Sequence, residues 1–304
     1  MLYAAFDELV ALKQKSRFLP FASGKLATSS SSGNYLSPVK GQGLEFEEVR
    51  AYAPGDDIRT IDWRVTARTG TPHTKVFRED RERSVVVYVD VNASMRFGTR
   101  GTFKSVQAAR IAALLGWQAN LNHDKLGSCV FGDIPHGIQI SSPQRSRKPL
   151  WNLFKLLTLQ DINENAPSIN LDNTLIHTIS IIPTGALVYI ISDFSDINES
   201  LEKQLRALRK RCKIVLIAID DPADQNIPSL GSVVFTAQER QLYINTNNEK
   251  GRETYAQQWQ KIRQSLEKMA KKLGIEILCI AKDADASSEL FFGLNRIRKR
   301  KRVR

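Results

Sequence analysis

The 304-residue chain has little cysteine, little histidine and no long apolar run, and each shortage excludes a class of protein or site. The three cysteines, Cys129, Cys212 and Cys279, are far apart and lie in or beside apolar segments, which predicts buried free thiols rather than disulfide bonds or a zinc site. The four histidines show no metal-ligand spacing. No segment approaches the roughly 18 apolar residues of a membrane span. No glycine-rich phosphate loop of the Walker A type is present, so the sequence does not predict an ATPase.

The two ends of the chain set expectations about location. Asp7 and Glu8 interrupt the apolar part of the first segment, which has no charged leader, so it does not resemble a secretory signal and we expect a cytoplasmic protein. The formal net charge of +12 includes seven basic residues, and no acidic one, in Arg296–Arg304. This tail predicts contact with an anionic membrane surface, which would make the protein membrane-peripheral, or with nucleic acid. A solvated, disordered end is the alternative.

Continuous apolar segments predict the fold class. Val85–Val89, Leu187–Ser192 and Ile214–Ile219 are typical of strands buried on both faces of a sheet. Helical patterns lie between them, and this alternation predicts an α/β fold with a mainly parallel, doubly wound sheet covered by helices on both faces. The other predicted elements are strands at Lys125–Phe131 and Glu276–Ile280, a hairpin at Val233–Ala237 and Gln241–Asn245, and helices at Phe103–Asn122, Pro149–Leu159, Leu171–Ile182, Glu199–Arg211, Glu253–Leu273 and Ser287–Ile297.

Changes in composition divide the chain into four regions. Residues 1–40 predict an amphipathic helix and a Ser/Gly-rich loop, and residues 41–83 predict a charged, β or irregular segment packed on the main domain. Residues 84–295 form the predicted α/β domain, and residues 296–304 form the basic tail. The charged segment combines aromatic and ionic side chains, so we regard it as a docking surface, with ion pairing among its own charges as the alternative. Its candidate partner-binding residues are Arg59, Asp62, Trp63, Arg64 and Arg68.

Oxygen-bearing side chains follow the first predicted inner strand. Asp90, Asn92 and Ser94 occupy alternate positions after Val85–Val89, and Asp193 directly follows the strand that ends at Ser192. Because open α/β sheets bind ligands at the carboxyl ends of their strands, these side chains could converge on a cation that prefers oxygen, Mg²⁺ or Mn²⁺. A polar turn, in which Asp90 and Asn92 only bond nearby backbone groups, is the alternative.

With Thr174 added, the set resembles the metal-ion-dependent adhesion site of von Willebrand factor A domains. That pattern is D-x-S-x-S after the first buried strand, then a distant Thr, then a strand ending in Asp. Here it would read Asp90, Asn92, Ser94, Thr174 and Asp193. The resemblance implies a von Willebrand A-like fold and a metal whose coordination is completed by a carboxylate of a client protein. Asn92 departs from the pattern, which has Ser at that position, so metal binding could be weakened or altered.

The upstream segment resembles a bacterial family known as a domain of unknown function, number fifty-eight. Its specific part comprises Pro54–Asp57, Ile61–Arg64 and Ala67–Thr69, and the resemblance covers residues 40–295 in order. This resemblance implies a von Willebrand A-like domain and partnership with MoxR-type AAA+ ATPases, which are regarded as chaperone-like remodelling machines.

We therefore expect a non-enzymatic interaction module without a small-molecule substrate. The main enzymatic alternative is a phosphatase of the haloacid dehalogenase type, with Asp90 as nucleophile and with Ser192, Asp220 and Asp221 in supporting roles. That chemistry usually needs a second Asp two residues after the nucleophile as general acid, and Asn92 cannot donate a proton in that way.

Overall fold

The computed structural model describes residues 3–20, 44–79, 83–99, 101–159, 169–237 and 240–300. The predicted Ser/Gly-rich loop, from residue 21 onward, and the last four residues of the basic tail lie outside these ranges. The strands are β1 Leu44–Ala51, β2 His73–Glu79, β3 Ser84–Asp90, β4 Lys125–Phe131, β5 Ile138–Gln144, β6 Leu187–Ser192, β7 Lys213–Asp220, β8 Ser232–Ala237, β9 Arg240–Asn245 and β10 Glu276–Ala281. The helices are α1 Phe6–Ala11, α2 Lys13–Ser16, α3 Trp63–Thr69, α4 Lys104–Leu121, α5 Lys148–Leu157, α6 Leu171–Thr178, α7 Glu199–Arg211, α8 Pro222–Gln225, α9 Glu249–Leu273 and α10 Ala286–Arg300.

The chain forms two compact units. The larger consists of Met1–Ala27 and Arg83–Arg304, and the smaller of Thr28–Glu82. Within the part of the chain that the structure describes, no helix is long and apolar enough to cross a membrane.

The larger unit is built on a six-stranded sheet. Its strand order is β10-β7-β6-β3-β4-β5, and every neighbouring pair is parallel except β4 and β5. The first strand of this sheet along the chain, β3, lies in its middle. Strands β4 and β5 extend the sheet on one side of β3, and β6, β7 and β10 extend it on the other. The point where this order reverses, between β3 and β6, is where doubly wound sheets bind their ligands.

Alternate side chains of the inner strands point into two separate cores. In β3, Val85, Val87 and Val89 pack under α4, α5 and α10, whereas Val86 and Tyr88 pack under α6, α7 and α9. Strands buried on both faces require the continuous apolar sequence that predicted them. The predicted fold class is therefore confirmed: a doubly wound, mainly parallel sheet with helices on both faces.

The first two helices belong to this larger unit. Trp117 of α4 donates its indole N–H to the carbonyl of Leu9 at 3.0 Å, and Gln118 donates to the carbonyl of Leu19 at 2.8 Å. Around these bonds, an aromatic cluster joins α1, α4 and α5; its members are Phe6, Trp117, Trp151 and Phe154.

The smaller unit pairs β1 with β2 as an antiparallel ribbon, with α3 in the connection between them. Asp62 caps α3, because its carboxylate accepts from the backbone N–H groups of Arg64 and Val65. Gly70, with φ of +73°, ends the helix. The sequence indicated only a strand near Lys75–Arg78, since the dense charge of the segment hides the helix and the first strand.

Strand β5 was also missed, for a physical reason. It is the antiparallel edge strand, it has no apolar run, and it contains Pro143. Proline is tolerated at a sheet edge, where one N–H would be unpaired anyway. A Cβ at Gly127 of the neighbouring strand would lie 2.9 Å from the Pro143 ring, so this contact needs glycine. At the other end of the chain, α10 continues to Arg300, five residues into the segment predicted as a tail.

Lys282 and Asp221 form a fully enclosed ion pair, with Nζ 2.8 Å from Oδ2. We predict that Lys282→Met lowers the free energy of unfolding by about 3–5 kcal/mol, because it leaves a buried carboxylate without its cation. Adding Asp221→Asn should recover part of that loss. Urea denaturation followed by circular dichroism measures both, with the exposed Lys268→Met as control. A single variant as stable as the wild type would contradict the prediction.

Candidate functional site

Acidic residues gather where the parallel strands end. Asp90 ends β3, Asp193 follows β6, and Asp220 and Asp221 lie at the end of β7. Asp133 follows β4 after one glycine. Because the strands are parallel, these carboxylates share the carboxyl edge of the sheet, and all five residues are buried.

Asp90 is held by neutral donors. Its Oδ1 accepts from the Asn92 backbone N–H at 2.9 Å and from Asn92 Nδ2 at 2.8 Å, and its Oδ2 accepts from the Ser192 hydroxyl at 2.7 Å. Within the described ranges, no cation is paired with this carboxylate. Burial, and then the negative charge of Asp193, raise the pKa of Asp90 to about 6. Asp90 therefore lacks the compensation that buried charges normally require.

Asn92 joins the loop after β3 to the segment that enters α6. Its Nδ2 donates to the Ile169 carbonyl at 3.1 Å as well as to Asp90. The loop also approaches Gly132, whose φ is +123°; a Cβ there would lie 2.6 Å from the Asn92 backbone nitrogen. The backbone thus fixes the position of Asn92 closely, and glycine at 132 is needed for that approach.

Asp193 already has a cation within the protein. The Lys104 ammonium, from the first turn of α4, lies 3.0 Å from Asp193 Oδ2 and 3.2 Å from Asp224 Oδ2. The Ser94 hydroxyl also bonds the Asp193 carboxylate. Burial alone would raise the pKa of Asp193, but Lys104 and the hydrogen bonds outweigh it and hold that pKa below its usual value.

The other acidic strand ends are neutralised in the same way. Arg263 of α9 pairs with Asp220 and donates to the Asp193 carbonyl at 2.7 Å. Asp221 pairs with Lys282, as described above, and also accepts from the Thr99 hydroxyl at 2.7 Å. The carboxylates at the ends of β6 and β7 are therefore each paired with a cation. Asp90, at the end of β3, has only neutral hydrogen-bond partners in the part of the chain that the structure describes.

A cleft of about 260 Å³ opens over Asp90. Three further carboxylates lie around it, two from loops and one from the first turn of α6, and Asp133 among them is paired with Arg96 at 2.6 Å. We call this cavity the carboxyl-edge cleft; its polar lining residues are Asp90, Asn92, Ser94, Asp133, Asn170, Asp172, Ser192, Ser195 and Asp196.

The structure places Asp90, Asn92 and Ser94 in the lining of this cleft, and Thr174 lies outside that lining. Thr174 lies inside α6, fully buried, and its hydroxyl donates to the Asn170 carbonyl at 3.0 Å. The residues of that region which line the cleft are Asn170, Leu171 and Asp172.

The donor set fits a hard divalent cation in part. Asp90 offers a buried carboxylate without a cation, Ser94 a hydroxyl and Asn92 an amide, which are oxygen donors of the kind Mg²⁺ and Mn²⁺ prefer. Asp193 stands behind them, engaged by Lys104. Among the described residues, no group of three or more His, Cys, Asp or Glu side chains forms a metal cluster, so any metal held here would rely on hydroxyl and amide oxygens.

The smaller unit carries the predicted partner-binding residues. Trp63 is 68% exposed at the start of α3, and Arg59, Arg64 and Arg68 are also exposed. Asp62 serves the helix cap and pairs with Lys75 at 3.5 Å. The acidic member of the set is thus structural in part, whereas the tryptophan and the arginines face solvent.

Lys104, whose ammonium pairs with Asp193 and Asp224, was not among the site residues predicted from the sequence. The signal available was a lysine in the first turn of a helix that is otherwise apolar, FKSVQAARIAALL. A cation is disfavoured at that end of a helix by the macrodipole, so it needs a specific anionic partner. The partner's identity depends on the tertiary fold and could not be read from the helix alone.

Comparisons with known proteins agree on a family. The family model described as "Protein of unknown function DUF58" matches residues 48–265. Uncharacterized protein Rv1480 of Mycobacterium tuberculosis is 31% identical over 206 residues, which are 66% of this chain and 63% of that protein, so the chain spans less than two thirds of the curated relatives it matches.

Two solved structures are similar at low identity. One is a conserved hypothetical protein BatB from Bacteroides thetaiotaomicron, with a TM-score of 0.46 and 14% identity over 71% of this chain and 98% of that one. The other is a von Willebrand factor type A protein from Catenulispora acidiphila, with a TM-score of 0.39 and 11% identity over 74% of this chain and 44% of that one.

The raised pKa of Asp90 predicts how pH affects the metal-free protein. The fold favours the protonated carboxyl, so its contribution to stability is full below about pH 4 and is lost as the pH rises through about 6. The difference between the ordinary pKa of 3.8 and the raised pKa of about 6 corresponds to about 3 kcal/mol of unfolding free energy. We predict that Asp90→Asn removes this loss, so that the variant gains stability relative to the wild type between those pH values.

Chemical denaturation in EDTA at a series of pH values tests this. Asp7→Asn, on the exposed side of α1, is the control and should follow the wild type. If the wild type and Asp90→Asn keep a constant difference in unfolding free energy across the range, Asp90 is ionised in the fold and the assignment is wrong.

Proposed function

The chain belongs to the family described as protein of unknown function DUF58, and on that basis we propose that it is a non-enzymatic interaction module that docks a partner protein at the carboxyl-edge cleft. The observation that carries the proposal is Asp90: a buried carboxylate with neutral hydrogen-bond partners, at the floor of a cleft with an acidic rim. Leaving such a group without a cation costs stability, and functional sites are where such costs are usually found.

A divalent cation, Mg²⁺ or Mn²⁺, would supply the missing charge. Asp90, Ser94 and Asn92 would hold it, and Asp193 would support it from behind through its bond with Ser94. The cation would act as a Lewis acid toward a carboxylate of the client protein. It would also reverse the local electrostatics, because an acidic cleft alone repels an acidic partner.

The contacts of Asn92 argue against the phosphatase alternative. Its amide donates to Asp90 Oδ1, one of the two oxygens that could attack phosphorus, and it cannot act as the general acid for a leaving group. Ser192 donates to the other oxygen of the same carboxylate. Both oxygens of Asp90 are therefore occupied by fixed donors, which suits a ligand better than a nucleophile.

The partner implied by the resemblance is a MoxR-type AAA+ ATPase, with a client protein that supplies the carboxylate. A second docking surface for this partner is the exposed Trp63 with Arg59, Arg64 and Arg68 in the smaller unit. Aromatic and arginine side chains are enriched in protein interfaces. We expect the protein to act in the cytoplasm and to have no small-molecule substrate.

We predict that magnesium binding depends on the cleft and not on Thr174. Calorimetric titration with MgCl₂ should give a binding isotherm for the wild type that is lost in Asp90→Ala and weakened in Ser94→Ala. Thr174→Val removes the predicted fifth donor while preserving its volume, and it should bind as the wild type does. Equal isotherms for the wild type and Asp90→Ala would refute the metal site, and loss of binding in Thr174→Val would restore Thr174 as a ligand.

Docking should require the same carboxylate. We predict that the wild type retains a MoxR-type ATPase in Mg²⁺ but not in EDTA, and that Asp90→Ala fails to retain it while its circular dichroism spectrum is unchanged. Asp7→Ala, which removes an exposed carboxylate elsewhere, should bind normally. Binding that persists in EDTA and in Asp90→Ala, but fails in Trp63→Ala, would move the docking surface to the smaller unit.

A further inference from the structure

The outer side of α10 exposes aromatic rings that the core does not use. Its inner side packs into the larger unit through Leu290, Leu294 and Ile297. The helical repeat therefore turns Phe291 and Phe292 outward, where their rings meet edge to face with centroids 5.6 Å apart. Such a neighbouring pair of exposed rings is a candidate contact surface.

A third phenylalanine extends this surface across two elements. Phe18, just after α2, is 77% exposed, and Phe292 is 67% exposed. Together with Phe291 they line an open cavity of about 630 Å³ between the end of α2 and the start of α10. The salt bridge between Lys15 Nζ and Asp285 Oδ1, at 3.1 Å, connects the two elements.

Cations follow the rings along the same helix. Lys299 comes seven residues after Phe292, and Arg298 seven residues after Phe291, so each cation lies on the same side of α10 as a ring, two turns further along. None of the basic residues of the last turns has an ion-pair partner in the part of the chain that the structure describes. The aromatic–basic face, as we define it, comprises Phe18, Phe291, Phe292, Arg296, Arg298, Lys299 and Arg300.

We propose that the aromatic–basic face binds an anionic membrane surface. Exposed phenylalanines partition into the boundary between headgroups and acyl chains, while Lys and Arg remain at the level of the lipid phosphates. Peripheral binding strengthens with the buried apolar area and with the attraction to anionic lipids, and this face supplies both. A nucleic acid duplex would engage the cations but would leave the three rings in water, so the lipid surface accounts for more of the face.

Vesicle co-sedimentation of the full chain tests the proposal. The vesicles are phosphatidylcholine alone, or phosphatidylcholine with about one third phosphatidylglycerol. The charge variant is Arg296→Gln/Lys299→Gln/Arg300→Gln, and the aromatic variant is Phe18→Ser/Phe292→Ser. We expect the wild type to bind the anionic vesicles in a salt-sensitive way, and each variant to lose at least about tenfold in partition coefficient.

Matched controls separate this face from general charge and hydrophobicity. Lys203→Gln/Lys210→Gln/Lys268→Gln removes the same number of exposed cations from other helices. Ile176→Ser/Ile181→Ser removes exposed apolar side chains from the region of α6, on the other side of the sheet. Both controls, and Asp90→Ala, should bind anionic vesicles as the wild type does, with circular dichroism confirming that every variant is folded.

Several outcomes would overturn the proposal. Failure of the folded wild type to pellet with anionic vesicles would do so, as would equal losses in the control and test variants. A gel shift on generic duplex DNA is run in parallel. DNA binding that disappears in the charge variant, without any vesicle binding by the wild type, would assign the cations to nucleic acid instead.

Discussion

Carboxylates buried at the ends of parallel strands must be neutralised, and the arrangement of this domain follows from that requirement. Taking a carboxylate out of water costs several kcal/mol unless a cation and hydrogen bonds replace the solvent. The chain supplies Lys104 for Asp193, Arg263 for Asp220 and Lys282 for Asp221. These cations come from α4, from α9 and from the residue after β10, so the carboxyl edge ties distant parts of the chain together.

The same pairs make the edge rigid from both sides of the sheet. Lys104 lies on the helix that covers one face, and Arg263 lies on the helix that covers the other. Both contact Asp193, one through its carboxylate and the other through its main-chain carbonyl. The loop after β6 is thus fixed between two layers, and Asp90 is presented on a scaffold that needs little rearrangement to bind a ligand.

What the sequence could predict was local, and what it could not predict depended on contacts between distant residues. Apolar runs gave the inner strands, and the positions just after them placed Asp90, Asn92 and Ser94 at one edge. The start of α6 at Leu171 agrees with the predicted helix, but the pattern did not show that the Thr174 hydroxyl donates to the Asn170 carbonyl.

The role of Lys104 was invisible for a related reason. Its partners Asp193 and Asp224 are 89 and 120 residues away in sequence. Nothing in the local pattern connects a lysine in the first turn of α4 with the end of β6, which is the fifth element after that helix. The edge strand β5 escaped detection because an edge strand does not need the apolar run by which inner strands are recognised.

The direction of α10 connects the two proposed surfaces. The helix starts just after β10, at the carboxyl edge, and packs back along that strand, with Gly293 in close contact with Leu278. It therefore runs toward the opposite edge of the sheet, and its 15 residues span about 22 Å. The cations of its last turns lie far from the acidic carboxyl-edge cleft, so charges of opposite sign are separated along the domain. An anionic membrane would attract the basic end of α10 and repel the acidic cleft.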